Sequence, residues 1–226
     1  MKFTIITAGG VGKRMNSDIP KQFIRINKIP VLFYTIDIFA KSVPDSQILI
    51  TLPKDFISAW SDLLIEFNFQ TKHRIIEGGQ TRFDSVKNAL SCLPDSGLVA
   101  IHDGVRPFVS KETILKCFQK AKELGNAVPV MDISDSIRKI ENGANILVNR
   151  DMYKRVCTPQ VFDVKLIKTA YNTTYREEFT DCSGILETLG YKINLVESNP
   201  ENIKITKPVD LIFGEAFINS GFSDYF

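Results

Sequence analysis

Near its beginning the chain reads Phe3-Thr4-Ile5-Ile6-Thr7-Ala8-Gly9-Gly10-Val11-Gly12. The first five of these residues are apolar or β-branched, which is typical of a short buried strand. The strand ends abruptly at glycines, and glycine allows backbone N–H groups to come close to phosphate oxygens. This stretch therefore predicts a first strand that leads into an anion-binding loop.

Short apolar strands and amphipathic helices alternate through most of the chain. Along 30–41, for example, Leu32, Phe33, Ile36 and Phe39 recur at the spacing of one helical face. Strands separated by helices of this length indicate βαβ units, and hence an α/β fold with a mostly parallel sheet in three layers. We expect strands at 3–7, 47–52, 74–76, 98–102, 127–131 and 192–197, and helices at 30–41, 54–67, 81–93, 110–124, 163–171, 180–189 and 208–219.

The alternation breaks at 137–148, where Asn142-Gly143 stands between apolar residues. Asn-Gly is the strongest two-residue signal for a β-hairpin turn. A hairpin inserted in a βα series has no neighbour in the parallel order, so we expect it to project as an arm of about 134–152. Such an arm can pack on a partner subunit or lie as a flap on a monomer. The chain contains no internal repeat or low-complexity linker, which predicts a single domain over 1–226.

The composition excludes several classes of protein. With 44% hydrophobic and 24% charged residues and a net charge of +2, the 226 residues are neither disordered nor collagen-like, and they give no case for a protein that coats DNA. Four scattered cysteines and two histidines lack the spacing of a zinc site. No apolar run approaches the ~20 residues of a membrane span or forms a signal peptide. A reduced cytoplasmic enzyme with no nucleic-acid or membrane partner is expected.

The first glycine loop does not match either of two common nucleotide-binding motifs. A P-loop requires Ser or Thr after Gly12-Lys13, but Arg14 follows, and Thr7 stands where the first glycine should be. The dinucleotide fingerprint would need glycine in place of Met15. Neither an ordinary ATPase nor a dehydrogenase is supported.

The wider pattern is more specific, because six blocks occur in order: A-G-G-V-G-K-R-M at 8–15, P-K-Q-F at 20–23, G-G-Q-T-R-F-D-S-V at 78–86, H-D-G-V-R-P at 102–107, T-P-Q-V-F at 158–162 and N-I-K-I-T-K-P at 202–208. From residue 3 to about 217 the chain resembles the 2-C-methyl-D-erythritol 4-phosphate cytidylyltransferases. Ribitol-5-phosphate cytidylyltransferases of wall and capsule synthesis share most of these blocks. The resemblance implies a three-layer α/β/α Rossmann-like nucleotidyltransferase fold.

The resemblance also implies a reaction. CTP and a polyol phosphate would give a CDP-polyol and pyrophosphate, as a step of non-mevalonate isoprenoid biosynthesis if the polyol is methylerythritol. A Mg²⁺ ion would be held mainly by the CTP phosphates. The protein would act by positioning the reactants and neutralising charge. In the family some site residues come from the neighbouring subunit through the arm, which favours a homodimer.

Carried over position by position, the resemblance assigns three groups of residues. The catalytic group is Arg14, Lys21, Arg150 and Lys204; the CTP-binding group is Ala8, Gly9, Gly10, Gly12, Gly79, Gln80, Arg82, Ser85 and Asp103; the polyol-phosphate group is Arg106, Ser136, Thr158 and Thr180. Asp103 is also the candidate metal ligand.

Several assignments have a plainer alternative. Arg14 and Lys21 could be solvated cations of a loop. Arg82 could form a salt bridge on a helix surface, Ser85 could face the core, and Asp103 could cap a turn. His102 follows an apolar strand, so a buried, hydrogen-bonded histidine is the favoured interpretation of that residue.

Three positions depart from the family pattern. Ala8-Gly9-Gly10 stands where many members have two alanines before the glycine, Ser136 replaces a threonine, and Cys182-Ser183-Gly184 stands where an acidic residue, Ala and Ser are usual. We expect the last segment to face the polyol site, so these departures bear on substrate identity. Three hypotheses follow: a methylerythritol phosphate enzyme, a cytidylyltransferase for ribitol phosphate or another polyol phosphate, and a nucleotide-binding protein without turnover. Four intact cations, Arg14, Lys21, Arg150 and Lys204, argue against the third.

Replacing Lys21 by alanine should lower kcat by at least about 100-fold, because a well-placed cation stabilises the charge that develops on the transferring phosphate. The measurement is pyrophosphate release at saturating concentrations of both substrates. Near-normal turnover of Lys21→Ala would refute the role given to this residue.

Overall fold

The computed structural model describes residues 1–10 and 20–221, and its central feature there is an eight-stranded sheet. The main path of the sheet runs β10-β7-β11-β6-β1-β4-β5, and β12, which is not on this path, also pairs with β7. Two small ribbons, β2-β3 and β8-β9, lie outside it. The strands are β1 (Lys2–Thr7), β2 (Arg25–Ile26), β3 (Ile29–Pro30), β4 (Ser46–Leu52), β5 (Arg74–Glu77), β6 (Leu98–Asp103), β7 (Asn126–Met131), β8 (Arg138–Glu141), β9 (Ala144–Leu147), β10 (Arg155–Val156), β11 (Gln160–Asp163) and β12 (Leu195–Glu197).

Most strands of the sheet share one direction. Strands β5, β4, β1 and β6 pair in parallel, and β12 pairs in parallel with β7. Strand β11 lies antiparallel between β6 and β7, and β10 is antiparallel to β7. The predicted mostly parallel sheet is therefore confirmed. The four-residue strand β11 was not predicted, because it is too short to show a strand period and leads directly into a helix.

Seven α-helices are described, and their positions follow the predicted alternation. The second, third, fifth and sixth are shorter than expected: residues 54–56 form a 3₁₀ turn before the second helix, and the third, fifth and sixth begin and end inside their predicted ranges. The helices are α1 (Val31–Ser42), α2 (Ile57–Glu66), α3 (Arg82–Ser91), α4 (Lys111–Leu124), α5 (Val164–Ala170), α6 (Cys182–Glu187) and α7 (Pro208–Asn219).

The sheet has a separate apolar core on each face because side chains alternate along every strand. On β1, Phe3 and Ile5 belong to the core shared with α3, α5 and α6. Ile6 belongs to the opposite core, which contains residues of α1, α2 and α4. These two helix layers enclose the sheet, so the three-layer α/β/α architecture is confirmed.

The segment between β12 and α7 returns to the carboxyl edge of the sheet. The Ile205 N–H donates to the Val105 carbonyl at 2.9 Å, and Ile205 packs with Ile26 and Phe108 in a third small cluster. This bond sets Lys204 beside the loop that follows β6.

The predicted hairpin is present as β8 and β9. Asn142 and Gly143 have φ of 51° and 78°, and positive φ at both positions is what a type I′ turn requires. All residues of the two strands are exposed, including Ile140 (73%) and Leu147 (65%). In the described chain the hairpin therefore projects from the body with apolar side chains uncovered.

Within residues 1–10 and 20–221, no helix combines the length and apolar character needed to cross a bilayer.

Candidate active site

A cavity of about 340 Å³ lies where strands β1, β5 and β6 end. The carboxyl ends of parallel strands meet at one edge of an open sheet, and the loops that follow them form the usual ligand site of such folds. The cavity is lined by Thr7, Ala8, Gly9, Gly10, Gln22, Gly79, Gln80, Thr81, Arg82, Ser85, Asp103, Val105 and Lys204.

The loop before α3 is built so that its backbone can face this cavity. Helix α3 begins with a capping box in which the Thr81 hydroxyl and the Asp84 carboxylate bind each other's backbone N–H groups. The Ser85 hydroxyl donates to the Thr81 carbonyl at 2.9 Å and accepts from the Gly79 N–H at 3.0 Å. A Cβ at Gly79 would collide with the Asp84 side chain, so only glycine fits here. The loop therefore approaches the positive end of α3, which favours a bound anion.

The strongest electrostatic feature of the cavity is a cluster around the buried carboxylate of Asp103. Lys204 Nζ lies 2.9 Å from Oδ2, Arg106 Nε lies 3.2 Å from the same oxygen, and Arg82 Nε lies 3.4 Å from Oδ1. Burial opposes the charged form of Asp103, but the charges of Arg82, Lys204 and Arg106 outweigh that effect and hold its pKa well below the usual range.

The Asp103 cluster carries more positive than negative charge. Three cations against one carboxylate leave a formal surplus of two positive charges at the end of β6. The side chains of Arg82 and Lys204 are 30% and 37% exposed, whereas that of Asp103 is only 9% exposed. Arg82 and Lys204 are therefore more accessible from the cavity than Asp103, and the site suits a ligand with several negative charges.

A ring of hydrogen bonds links Arg106 and Thr158 next to this cluster. Arg106 O can only accept, so His102 Nε2 carries a hydrogen and donates to it at 3.0 Å. His102 Nδ1 then accepts from the Thr158 hydroxyl at 3.0 Å. Asn202 closes the ring. Its side-chain amide donates to the Thr158 backbone carbonyl at 2.9 Å, and its backbone carbonyl accepts from Arg106 Nη1 at 2.8 Å. Two predicted polyol-phosphate residues are thus held in one rigid unit.

His102 is fully buried, as the sequence favoured. Burial lowers the pKa of its imidazole to about 4, and the bond to Arg106 O opposes that shift only in part. The histidine is therefore neutral at neutral pH, and its two bonds fix the tautomer.

The structure brings together many of the predicted site residues. Those that line the cavity are Ala8, Gly9, Gly10, Gly79, Gln80, Arg82, Ser85, Asp103 and Lys204. Arg106 and Thr158 adjoin them through Asp103, whose backbone N–H donates to the Thr158 hydroxyl at 3.1 Å. The contacts of Arg82 lie inside the site and not on the helix surface, and the buried Ser85 supports the glycine loop.

Other predicted residues lie elsewhere or are not described. Gly12 and Arg14 fall outside the described residues, and Lys21 begins the short 3₁₀ turn Lys21–Phe23. Ser136, Arg150 and Thr180 are exposed and do not line the cavity. Arg150 instead donates to Ser134 O within the arm.

Several residues of the site were missed from the sequence. Thr7, Gln22, Thr81 and Val105 line the cavity, and Asn202 closes the hydrogen-bond ring. Gln22 and Asn202 belong to recognised blocks, so block membership was the available signal. The Gln22 amide is fully buried, and among the described residues it has no hydrogen-bond partner.

Cys182 also differs from expectation. It was expected to face the polyol site, but its sulfur contacts Arg82 Nη1 at 3.2 Å. Cys182 therefore contacts Arg82, which was predicted to bind CTP. The hydrogen bonds described above for Arg106 and Thr158, the predicted polyol-phosphate residues, involve other partners.

Comparison with known proteins identifies the family. The model of the 2-C-methyl-D-erythritol 4-phosphate cytidylyltransferase (IspD) family matches residues 3–220. The chain belongs to this family. A relative with that name from Bacteroides thetaiotaomicron is 43% identical over 214 residues, covering 95% of this chain and 98% of its own. One from Bacteroides fragilis is 44% identical over 214 residues, with the same coverage.

Solved structures of similar proteins agree with this membership. The 4-diphosphocytidyl-2C-methyl-D-erythritol synthase of Anaerococcus prevotii is 30% identical, with a TM-score of 0.82 over 96% of this chain and 98% of its own. The cytidylyltransferase of Thermus thermophilus is 27% identical, with a TM-score of 0.78 over 97% of this chain and all of its own. The predicted enzyme class, a nucleotidyltransferase, is confirmed.

The His102 pKa leads to a pH-dependent stability. An unfolded histidine titrates near 6.5, whereas folded His102 takes a proton only near pH 4. The free energy of unfolding should therefore be undiminished above pH 6.5 and fall by up to about 3 kcal/mol as the pH drops toward 4, because the unfolded chain binds the proton first.

Urea denaturation between pH 4 and 7.5 measures this effect. His102→Gln should flatten the pH dependence more than His73→Gln does, although burial also lowers the pKa of His73. An unchanged slope in His102→Gln would contradict the assignment.

Proposed function

We propose that this chain transfers the cytidylyl group of CTP to 2-C-methyl-D-erythritol 4-phosphate, giving CDP-methylerythritol and pyrophosphate in non-mevalonate isoprenoid biosynthesis. The observation that carries the proposal is the cluster of Arg82, Arg106 and Lys204 around Asp103, beside two glycine loops at the sheet edge. Both substrates carry phosphate, and the family relatives named above bear the methylerythritol name.

The proposed step is an in-line displacement at the α-phosphorus of CTP. A phosphate oxygen of the polyol forms the new bond to that phosphorus, the bond to the bridging oxygen breaks, and pyrophosphate leaves with the electron pair. No covalent bond to the protein is required, so catalysis rests on orientation and on cations placed before the reaction begins.

The described cations suit different parts of this step. Arg82 lies at the start of α3 beside Gly79 and Gln80, where the nucleotide would contact the loop backbone. Lys204 and Arg106 lie on the other side of Asp103, where they can hold the polyol phosphate. Asp103 contacts all three cations, so their positions are set before substrates arrive. Arg14 and Lys21 are assigned to the triphosphate by their positions in the family blocks.

Mg²⁺ is proposed to arrive with the CTP phosphates. Asp103 is a poor resident ligand, because its two oxygens already face Arg82, Arg106 and Lys204. Among the residues described, no group of three or more His, Cys, Asp or Glu side chains is arranged to hold a metal.

The polyol is tested by pyrophosphate release with CTP and a panel of polyol phosphates. Methylerythritol phosphate should be turned over with kcat/KM at least about tenfold above that of ribitol 5-phosphate, since missing contacts to a substrate hydroxyl or methyl group cost at least that factor. Turnover of ribitol phosphate alone would establish the alternative substrate. Absence of turnover with every member would favour a binding protein without catalysis.

We also propose that the arm, 134–152, joins two copies of this chain. The exposed side chains of Ile140, Ile146 and Leu147 would be covered in such a dimer. Ser136 and Arg150 lie on the same arm, away from the cavity of their own chain, and would complete the polyol site of the neighbour.

Mixing two inactive variants tests whether Arg150 acts across subunits. Arg150→Ala and Lys204→Ala should each be nearly inactive alone, but their co-refolded mixture should recover about a quarter of wild-type activity, because half of the dimers are mixed and each mixed dimer has one intact site. No recovery, in a mixture shown by sedimentation to contain mixed dimers, would place Arg150 in the site of its own chain.

We also propose that the protein is cytoplasmic, on the evidence of its cysteines. All four cysteines are free, as expected in a reducing compartment.

A further inference from the structure

The Arg82 guanidinium has a second partner besides Asp103. Its Nη1 lies 3.2 Å from the sulfur of Cys182, 100 positions further along the chain. A guanidinium can only donate, so the sulfur is the acceptor. Burial opposes the charge on Arg82, but nearby Cys182 and Asp103 outweigh it and raise the pKa of the guanidinium above its usual value. The Arg82 guanidinium thus lies between the Asp103 carboxylate at the end of β6 and the Cys182 sulfur on α6.

Cys182 is held firmly enough to position another residue. It is fully buried at the first turn of α6, and its backbone N–H donates to Gln160 Oε1 at 3.0 Å. The same Gln160 amide donates to Asp181, the residue that caps α6. Gln160 is itself fully buried on β11, so the sulfur is fixed relative to the sheet.

A buried phenol supports the sulfur from the other side. Tyr171 Oη lies 3.2 Å from Cys182 Sγ. Burial and the neighbouring Cys182 raise the pKa of Tyr171 well above its usual value, so the hydroxyl keeps its proton and can donate it to the sulfur. The Tyr171 ring stacks on Phe83, the residue after Arg82, with centroids 4.7 Å apart. Arg82 is therefore constrained through both its guanidinium and its neighbour in the helix.

We infer that Cys182 is a positioning residue, whose sulfur, supported by Tyr171, holds the Arg82 guanidinium toward the nucleotide side of the cavity. Without this acceptor, Arg82 would be left with Asp103 and would turn toward that carboxylate. A cation paired entirely with Asp103 is less available to a phosphate or ribose oxygen. The inference rests on the proposed function, since it takes the ligand of Arg82 to be CTP.

Serine and alanine at position 182 separate this role from simple space filling. Both remove nearly the same volume, but only serine keeps a hydrogen-bond acceptor for Arg82. In calorimetric binding of CTP to the full chain, Cys182→Ala should raise the Kd at least about threefold, since it removes a hydrogen bond to a charged group, and Cys182→Ser should restore most of that loss.

Cys117 supplies the matched control. It is a fully buried cysteine of α4 in the apolar core, and burial raises its pKa to about 12. There serine buries a hydroxyl among apolar side chains, so Cys117→Ser should be the less stable variant in thermal unfolding, and neither Cys117 variant should change the Kd for CTP. The expected signature is therefore a difference between serine and alanine in the Kd for CTP at position 182 and equal Kd values for the two variants at position 117.

A double-mutant cycle with Arg82 completes the test. In the Arg82→Ala background, Cys182→Ala should cause no further change in the Kd for CTP, because its effect passes through the missing guanidinium. Equal losses in Cys182→Ala and Cys182→Ser, or a Cys182→Ala effect that persists without Arg82, would overturn the inference.

Measuring turnover of the wild-type protein distinguishes a failure of this inference from a failure of the proposed function. If the predicted ranking of CTP affinities holds while wild-type protein turns over no polyol phosphate, the positioning role stands and the proposed reaction fails. If wild-type protein makes CDP-methylerythritol while the two Cys182 variants bind CTP equally, the reaction stands and the positioning role is wrong.

Discussion

The buried carboxylate of Asp103 is the constraint on which the rest of the site depends. A charge taken out of water must be paired, and removing one partner of a buried pair costs several kcal/mol. Asp103 meets three cations from distant parts of the chain: Arg82 at the start of α3, Arg106 in the loop after β6, and Lys204 before α7. Each would be repelled by the others without the carboxylate between them. One anion therefore fixes the meeting point of three loops.

The sheet supplies the geometry that makes this meeting possible. Because β1, β5 and β6 run in parallel, their loops open at one edge, and the two glycine loops both line the cavity. The antiparallel strand β11 then returns along β6 from the opposite direction, so that Thr158, just before it, reaches the carboxyl end of β6. His102 and Asn202 lock that approach by bridging Thr158 and Arg106. Arg106 and Thr158 are thus held by buried hydrogen bonds and not by loop contacts alone.

What the sequence could predict was set by local signals. Alternating strands and helices and the Asn142-Gly143 turn depend on residues close together in the chain, and all of these were found. Strand β11 was missed because four residues are too few to show the alternation of apolar and polar side chains that indicates a strand. The partner of Cys182 could not be inferred, since Arg82 lies 100 positions away in the chain and no local pattern connects the two residues. Gln22 escaped for a related reason, because its burial depends on packing that no local pattern records.

The net charge of the whole chain does not reveal the charged Asp103 cluster, because it sums over all residues. The chain has 28 basic and 26 acidic residues, a surplus of two, and the Asp103 cluster alone has three cations and one anion, which is also a surplus of two. The remaining residues therefore sum to zero. A neutral remainder exerts little attraction beyond the Debye length of about 10 Å at 0.1 M salt, whereas charges in a partly buried cavity are screened much less. This balance gives no case for an extended polyanion as a partner, whereas a small molecule whose phosphates fit within one cavity meets the full surplus of the Asp103 cluster. The same balance that argues against nucleic acid thus favours a small phosphorylated ligand.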